Sequence, residues 1–316
     1  MKYSIITPVY NRADCIARCL DSVIRNLSHG IEMEHVVVDD GSADNSAQIV
    51  EDYVSRYDHI QFIRLPQNKG TNAARNAAIA AAKGEFCIIL DSDDYFVDDA
   101  IAIIERIVSA TNYRQYMFAA DDMVDDYARN PLLNKAQQTT LEYKDFLAGR
   151  VAGDFIHCVS TEILRNHPFR EDLRIHEGIF FLQFYKESQK VLFTNAIVTI
   201  RERSRADSVT HGVIRTNKAI IQRCLDANTL QIDLFREDYQ RYGFNSTLQQ
   251  LLTSKAENAL LLSQYEIANK SLAELPYSKK VRMLKLISTL HLGNCFRLAL
   301  KTFLFTKYTI LKSQVI

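Results

Sequence analysis

Along the first hundred residues, short apolar runs alternate with segments whose apolar positions recur every three or four residues. Tyr3 to Thr7, Glu34 to Val38, Ile60 to Arg64 and Glu85 to Leu90 read as strands. The periodic segments between them read as helices. Asp14 to Asn26 carries Ile16, Leu20, Val23 and Ile24 on one face, and Asp44 to Tyr57 starts from Asp44 or Ser42 as a cap. The Ala-rich stretch Thr71 to Ala82 ends before Gly84, read as a C-cap. This alternation predicts an α/β domain with a mostly parallel sheet flanked by helices. Parallel strands share a direction, so the polar turns that follow them open on one edge of the sheet, where open α/β sheets hold ligands.

The pattern loosens beyond residue 100. Asp98 to Ala110 reads as a helix and Gln115 to Ala120 as a strand, while residues 121 to 140 are polar and irregular. Tyr143 to Leu147 and Glu177 to Ser188 read as helices, and Phe155 to Val159 and Val191 to Ile200 as strands. From about Val213 the signals are helical, with breaks near Gly243 and Pro276. The expected organisation is a catalytic-type domain over 1–212 and a helical region over 213–316. Residues 213 to 270 could equally form a dimer surface or a packed cap, so a homo-oligomer stays open.

Composition adds a few bounds. A chain of 316 residues that is 47% hydrophobic and 24% charged is an ordinary globular protein with room for a sizeable core. The opening Met1-Lys2-Tyr3-Ser4-Ile5-Ile6 lacks the features of a signal peptide, and no stretch approaches the roughly 20 apolar residues of a spanning helix. The six cysteines are scattered, which points to reduced, mostly buried thiols and a cytoplasmic setting. No nucleic-acid partner is expected.

Charge is unevenly distributed. No Asp or Glu follows Glu274, whereas Lys279, Lys280, Arg282, Lys285, Arg297, Lys301, Lys307 and Lys312 do. Because the chain balances 38 basic against 38 acidic residues, the eight positive charges of the tail leave the rest eight negative.

The densest chemistry is Cys87-Ile88-Ile89-Leu90-Asp91-Ser92-Asp93-Asp94, a buried-strand run ending in three carboxylates. Clustered carboxylates repel unless a cation sits among them, and hard oxygen ligands suit Mg²⁺ or Mn²⁺. A capped acidic turn is the plain alternative. Three further segments precede it in order: Thr7-Pro8-Val9-Tyr10-Asn11, Asp39-Asp40-Gly41-Ser42, and Asn68-Lys69-Gly70-Thr71-Asn72-Ala73-Ala74-Arg75-Asn76. Together the four resemble the family 2 glycosyltransferases of the GT-A fold, strongly over residues 1 to about 100 and more faintly to about His211.

The resemblance implies a nucleotide-sugar donor, of UDP type, across the strand tips. It places Tyr10 against the base, with Thr7, Pro8 and Val9 shaping that pocket, and Asp39 or Asp40 at the base's imide N–H. Arg75 approaches the base or diphosphate with Asn76 in support. Asp91 holds the ribose or the metal, Asp93 ligates the metal, and Ser92 lies in the same donor site. It also implies a general base taken from a Glu-Asp pair, and here that pair falls on Glu177-Gly178. Glu177 serves instead, or Asp172 does, or the protein binds donor without turning it over. His176 is read as a packing residue. Arg201, Arg203 and His211 are candidates for the diphosphate, with a solvated basic loop as their alternative. A sugar nucleotidyltransferase is disfavoured because the first strand leads into Pro8-Val9-Tyr10-Asn11 rather than a glycine-rich basic loop.

In the tail, Val281, Leu284, Ile287 and Leu290 follow helical spacing, as do Phe296, Leu300, Phe303 and Leu304. Basic residues flank both rows. Residues 277–316 therefore read as an interfacial segment on an anionic membrane surface, with packing on the acidic body as the alternative. The expected setting is the inner face of the cell membrane, with a glycan or lipid-linked acceptor.

Overall fold

The computed structural model describes the chain apart from residues 28–29, 152, 174–175, 203–216 and 307–316 and the side chains of Leu304 and Phe305. Two compact units emerge, Met1–Ala206 and Asp207–Ile316. The boundary expected near Gly212 lies outside the described residues.

Unit one opens with β1 (Tyr3–Val9), α1 (Ile16–Arg25), β2 (Met33–Asp39), α2 (Ser46–Val54), β3 (Ile60–Arg64), α3 (Thr71–Ala81) and β4 (Phe86–Ile89). It continues through β5 (Tyr95–Phe96), α4 (Ala100–Ala110), β6 (Gln115–Ala120), α5 (Val124–Arg129), β7 (Gln138–Glu142) and α6 (Tyr143–Leu147). The last elements are β8 (Ile156–Ser160), α7 (Thr161–Asn166), α8 (Gly178–Ser188) and β9 (Lys190–Ile200).

All nine strands join one sheet in the order β3-β2-β1-β4-β8-β6-β9-β5, with β7 also on β9. The β3-β2-β1-β4 half is parallel, as helical crossovers between successive strands dictate. Beyond it the sheet is mixed. β8 runs antiparallel to both β4 and β6, β9 is parallel to β6, and β5 and β7 pair antiparallel to β9.

Every residue of β1 and β2 is buried, which is why both read as continuous apolar runs. Ile16, Cys19, Leu20 and Val23 of α1 and Ile101, Ile104, Ile107 and Val108 of α4 share one core cluster with Ile5, Val37 and Ile88. Each such aliphatic side chain contributes about 1.5–3 kcal/mol relative to exposure. Gly84 is not the C-cap of α3, which ends at Ala81. A Cβ at Gly84 would stand 2.5 Å from the Ser4 backbone nitrogen, so this glycine is required by close approach to β1.

Residues 121 to 140 are more ordered than their polarity implies. α5 is too short to show a period, and it is anchored by Tyr127, which stacks on Phe155 at 5.2 Å. β7 buries only Leu141 and forms an edge strand on β9. The six cysteines are free thiols, and four of them (Cys15, Cys19, Cys87 and Cys158) are buried.

Unit two is helical: α9 (Lys218–Arg241), α10 (Asn245–Leu261), α11 (Tyr265–Ala273), α12 (Lys279–Thr289) and α13 (Gly293–Phe305). Two helices end on left-handed residues that are not glycine. Ser263 and His291 adopt left-handed φ values of 60° and 53° where glycine usually serves. The apolar row expected to face a membrane divides. Val281 and Leu284 are buried within this unit, Ile287 is half-buried, and Leu290 is exposed. Among the described residues no helix is long and apolar enough to cross a membrane.

Candidate active site

The tips of β1, β2 and β4 converge at one edge of the sheet, as parallel strands must. At the tip of β1, Thr7 and Pro8 are buried and Tyr10 is 42% exposed. The Thr7 hydroxyl pairs with His35 Nε2 at 2.8 Å inside the sheet. Asn11 takes a left-handed φ of 50°, which lets its backbone N–H donate to Ser42 Oγ while its side chain accepts from the Ala43 N–H.

At the tip of β2 the carboxylates face inward. Asp39 is fully buried, and both its oxygens accept from the Ser42 N–H, at 3.3 and 3.1 Å, with Arg64 at 3.5 Å. Asp40 is 2% exposed and accepts from the Lys69 and Gly70 N–H groups, both at 2.7 Å. Both carboxylates thus have a building role in this edge, whatever contact they make to a base. Asp39 closes the turn, and Asp40 fixes the loop that leads into α3. Gly41 fits only as glycine, with φ of 72° and Gln67 backbone 2.8 Å from where a Cβ would be.

At the tip of β4 each acid meets an arginine. Arg75 donates to Asp91 at 3.0 Å, Arg12 lies 3.8 Å from Asp93, and Arg201 lies 3.8 Å from Asp94. Ser92 is buried between them. Asp94 is pushed up to about 7 by burial first and by Asp91 and Asp93 second. Burial is the larger cause, and the part contributed by the neighbouring carboxylates is what a divalent cation would relieve. The donor set is all oxygen, as Mg²⁺ and Mn²⁺ prefer. Among the described residues no three acidic, imidazole or thiol side chains converge as a cage. Asp91 and Asp93 would therefore share the ion with water and phosphate oxygens, the usual arrangement for Mg²⁺. The residues present fit such an ion.

Arg75 ties this turn to the candidate base. Its guanidinium is 12% exposed and lies over Phe169 at 5.7 Å. From there it reaches Glu177 at 3.8 Å as well as Asp91. Glu177 directly precedes α8 and keeps 24% of its side chain exposed. Asp172 is placed differently. It is 58% exposed, and Arg170, two residues away, holds it and keeps its carboxyl below the usual range. Gly178 occupies the first turn of α8, and a Cβ there would meet nothing within 4 Å.

Two groups of residues carry the geometry in ways that sequence reasoning does not assign, although it places Asn76 in support of Arg75. Asn76 clamps the Phe169 backbone in both directions, accepting its N–H at 2.9 Å and donating to its carbonyl at 2.7 Å. Asn72, one turn earlier, donates to the Arg170 carbonyl at 2.9 Å. Their i, i+4 spacing in an Ala-rich helix is the signal that could have found them. Arg12 and Arg18 also face the acidic turn, Arg18 donating to the Asp93 carbonyl at 3.0 Å. Arg201, a candidate for the diphosphate, is held by Asp94, Asp122 and Asp154, the last at 3.0 Å. Arg203 and His211 lie outside the described residues.

Comparison with known proteins gives this geometry its family. The family described as Glycosyl transferase family 2 matches residues 4–161, half of the chain. A poly(ribitol-phosphate) beta-glucosyltransferase of Bacillus spizizenii is 41% identical over 102 residues, covering 32% of this chain and 16% of that protein. A GalNAc(5)-diNAcBac-PP-undecaprenol beta-1,3-glucosyltransferase of Campylobacter jejuni is 27% identical over 216 residues, covering 67% and 68%. The chain thus spans between about a sixth and two thirds of the length of these relatives. Among solved structures, Staphylococcus aureus TarS in complex with UDP-GlcNAc superposes with a TM-score of 0.62 at 17% identity, covering 96% of this chain and 91% of that one. A Pyrobaculum calidifontis mannosyltransferase in complex with GDP-Man and Mn²⁺ gives 0.55 at 16%, covering 98% and 86%. The fold is that of the GT-A enzymes, and the chain belongs to glycosyl transferase family 2.

Proposed function

We propose that this protein is an inverting glycosyltransferase. It moves a hexosyl or N-acetylhexosaminyl group from a UDP-sugar to a glycan or lipid-linked acceptor in cell-surface polysaccharide synthesis, with its basic tail near an anionic membrane. The observation that carries the reading is Arg75, which joins the acidic tip of β4 to Glu177. This link, between side chains up to 102 positions apart, supports a donor site and a proton acceptor side by side. The named substrates of the relatives, poly(ribitol-phosphate) and an undecaprenol-linked glycan, support an acceptor of this class.

In this reading the exposed ring of Tyr10 lies against the base, a contact worth on the order of 1–3 kcal/mol. Arg75 and Arg12 meet the diphosphate. Asp91 and Asp93 would hold Mn²⁺ or Mg²⁺, which supplies Lewis-acid stabilisation of the leaving diphosphate. Glu177 takes the proton from the acceptor hydroxyl as that oxygen attacks the anomeric carbon from the face opposite the departing UDP. Asp172 is the weaker candidate, because its ion pair with Arg170 lowers its basicity.

The test is thermal stabilisation by UDP-glucose, UDP-galactose, their N-acetyl forms and GDP-mannose, with and without Mn²⁺. One UDP-sugar is expected to raise the melting temperature in a metal-dependent way, and Asp93→Ala to abolish the shift. No shift with any nucleotide sugar overturns the reading. A second reading, donor binding without transfer, is favoured by Gly178 alone. It predicts the same thermal shift and no UDP release with any acceptor.

A further inference from the structure

The outer surface of unit two carries a row that packing does not explain. At 100° per residue, Met283, Leu286 and Leu290 fall on one stripe of α12, roughly 160° from the buried stripe of Val281, Leu284 and Ser288. The inner stripe already supplies the contacts that hold α12, including a hydrogen bond from Ser288 to Asn269 of α11 at 2.8 Å. A helix in a globular protein ordinarily turns polar residues outward. Here Met283 is 48%, Leu286 58% and Leu290 55% exposed. On the following helix Leu298 points away from the half-buried side of Phe296, Arg297 and Leu300 and is 65% exposed.

Cations border this apolar surface. Lys279 extends the outer stripe, Arg282 and Lys285 stand to one side of it, and Lys301 is exposed on α13. Lys280 is turned away into a pair with Glu257 at 2.8 Å. No acid follows Glu274 in the sequence, so no carboxylate of the tail itself opposes those cations. α12 and α13 have 11 and 13 residues, too short to span a bilayer and sufficient to lie in its interface.

We infer that the outward stripe Met283–Leu286–Leu290, with Leu298 of the following helix, seats this protein on an anionic lipid surface, and that Lys279, Arg282, Lys285 and Lys301 contact its phosphates. The inference deepens the lipid-linked reading of the acceptor and reassigns the contact. The row that sequence spacing favours, Val281 and Leu284, is the packing row, and the lipid row is on the opposite side. Charge complementarity selects the occupant. Two copies pairing stripe to stripe would bury the leucines but bring like cations together, whereas an anionic leaflet answers both.

The experiment is co-flotation of the full chain with vesicles of phosphatidylglycerol and phosphatidylethanolamine, against vesicles of phosphatidylcholine alone. Salt-sensitive binding to the anionic vesicles is expected. Leu286→Asp should weaken it by at least about tenfold, and each of Arg282→Gln and Lys285→Gln by roughly fivefold. These side chains are exposed, so the variants should keep the wild-type melting temperature and circular dichroism. Met283→Ser with Leu290→Ser is a milder pair should Leu286→Asp lose its fold. Failure of the wild-type chain to float, or equal flotation with both vesicle types, overturns the inference. So does lipid-independent dimerisation that Leu286→Asp abolishes, which would assign the stripe to a second copy. Because binding alone is read, a negative result leaves the donor-site reading untouched, and loss of the donor thermal shift leaves this inference untouched.

Discussion

Two acidic turns stand at the same edge of one sheet and are built in opposite ways. After β2, Asp39 and Asp40 are buried, and their oxygens accept backbone N–H groups from Ser42, Lys69 and Gly70. After β4, Asp91, Asp93 and Asp94 face arginines contributed by separate segments, and Asp94 is raised to about 7. The first turn spends its carboxylates on local architecture. The second sets its carboxylates against side-chain cations from distant segments, an arrangement that an ion and a phosphate could enter. Position at a strand tip is thus insufficient to assign a role, and the partners of each oxygen decide it.

The largest expected effect separates the turns by activity. Asp93→Ala should lower turnover by about 10³-fold, the several kcal/mol that a Lewis acid contributes. It should leave stability unchanged or raise it, because a repulsive neighbour of Asp94 is gone. Initial rates of UDP release and urea unfolding would check both halves. A loss of stability matching the loss of activity would erase the distinction between the turns.

Asp40→Ala tests the other side. It orphans two buried N–H groups and frees the loop before α3, at a cost of about 2–4 kcal/mol in denaturant unfolding. Donor affinity should fall only as far as that loop loosens. Full stability in this variant would mean that the backbone contacts of Asp40 are dispensable, and the direct base contact would become the better account.

The third effect is a pH dependence. Asp94 has a folded pKa of about 7 against about 4 unfolded. Between those values the native state holds a proton that the unfolded chain has released, so stability falls as pH rises from about 4 to 7 and is flat above. The difference between wild type and Asp94→Asn, on the order of 4 kcal/mol across that window, isolates this group. A difference of the opposite sign would show that Arg201 outweighs Asp91 and Asp93 at this site.

The sequence made the parallel half of the sheet legible because its signals are local. Buried strands read as apolar runs, and α1 and α3 show their period or composition. Leu141 alone cannot announce β7, and Ser263 and His291 end helices without glycine. Within the site, a carboxylate's position is written in the chain and its partners are not. Asp40 finds Lys69 and Gly70, and Asn76 finds Phe169, only after the fold has closed. The same limit hid which face of α12 packs, since Leu284 and Leu286 are equally apolar and only the fold says which one is buried.

Gly178→Asp carries the smallest structural effect and refines the comparison, because it adds a carboxylate where the chain has none. Its Cβ has open space, glycine in the first helical turn is unfavourable, and an acid there meets the positive end of α8. The variant should therefore be more stable by about 0.5–1.5 kcal/mol, read by urea unfolding. Its effect on turnover discriminates between bases. If Glu177 is the proton acceptor, the added acid leaves the rate within about threefold, while Glu177→Gln lowers it by 10²-fold or more, on the order seen for general bases. If transfer is absent in the native chain and appears in Gly178→Asp, the site lacked only that carboxylate. The protein would then resemble its own β2 turn, in which acids support a binding surface, more than the β4 turn, in which they act on what is bound.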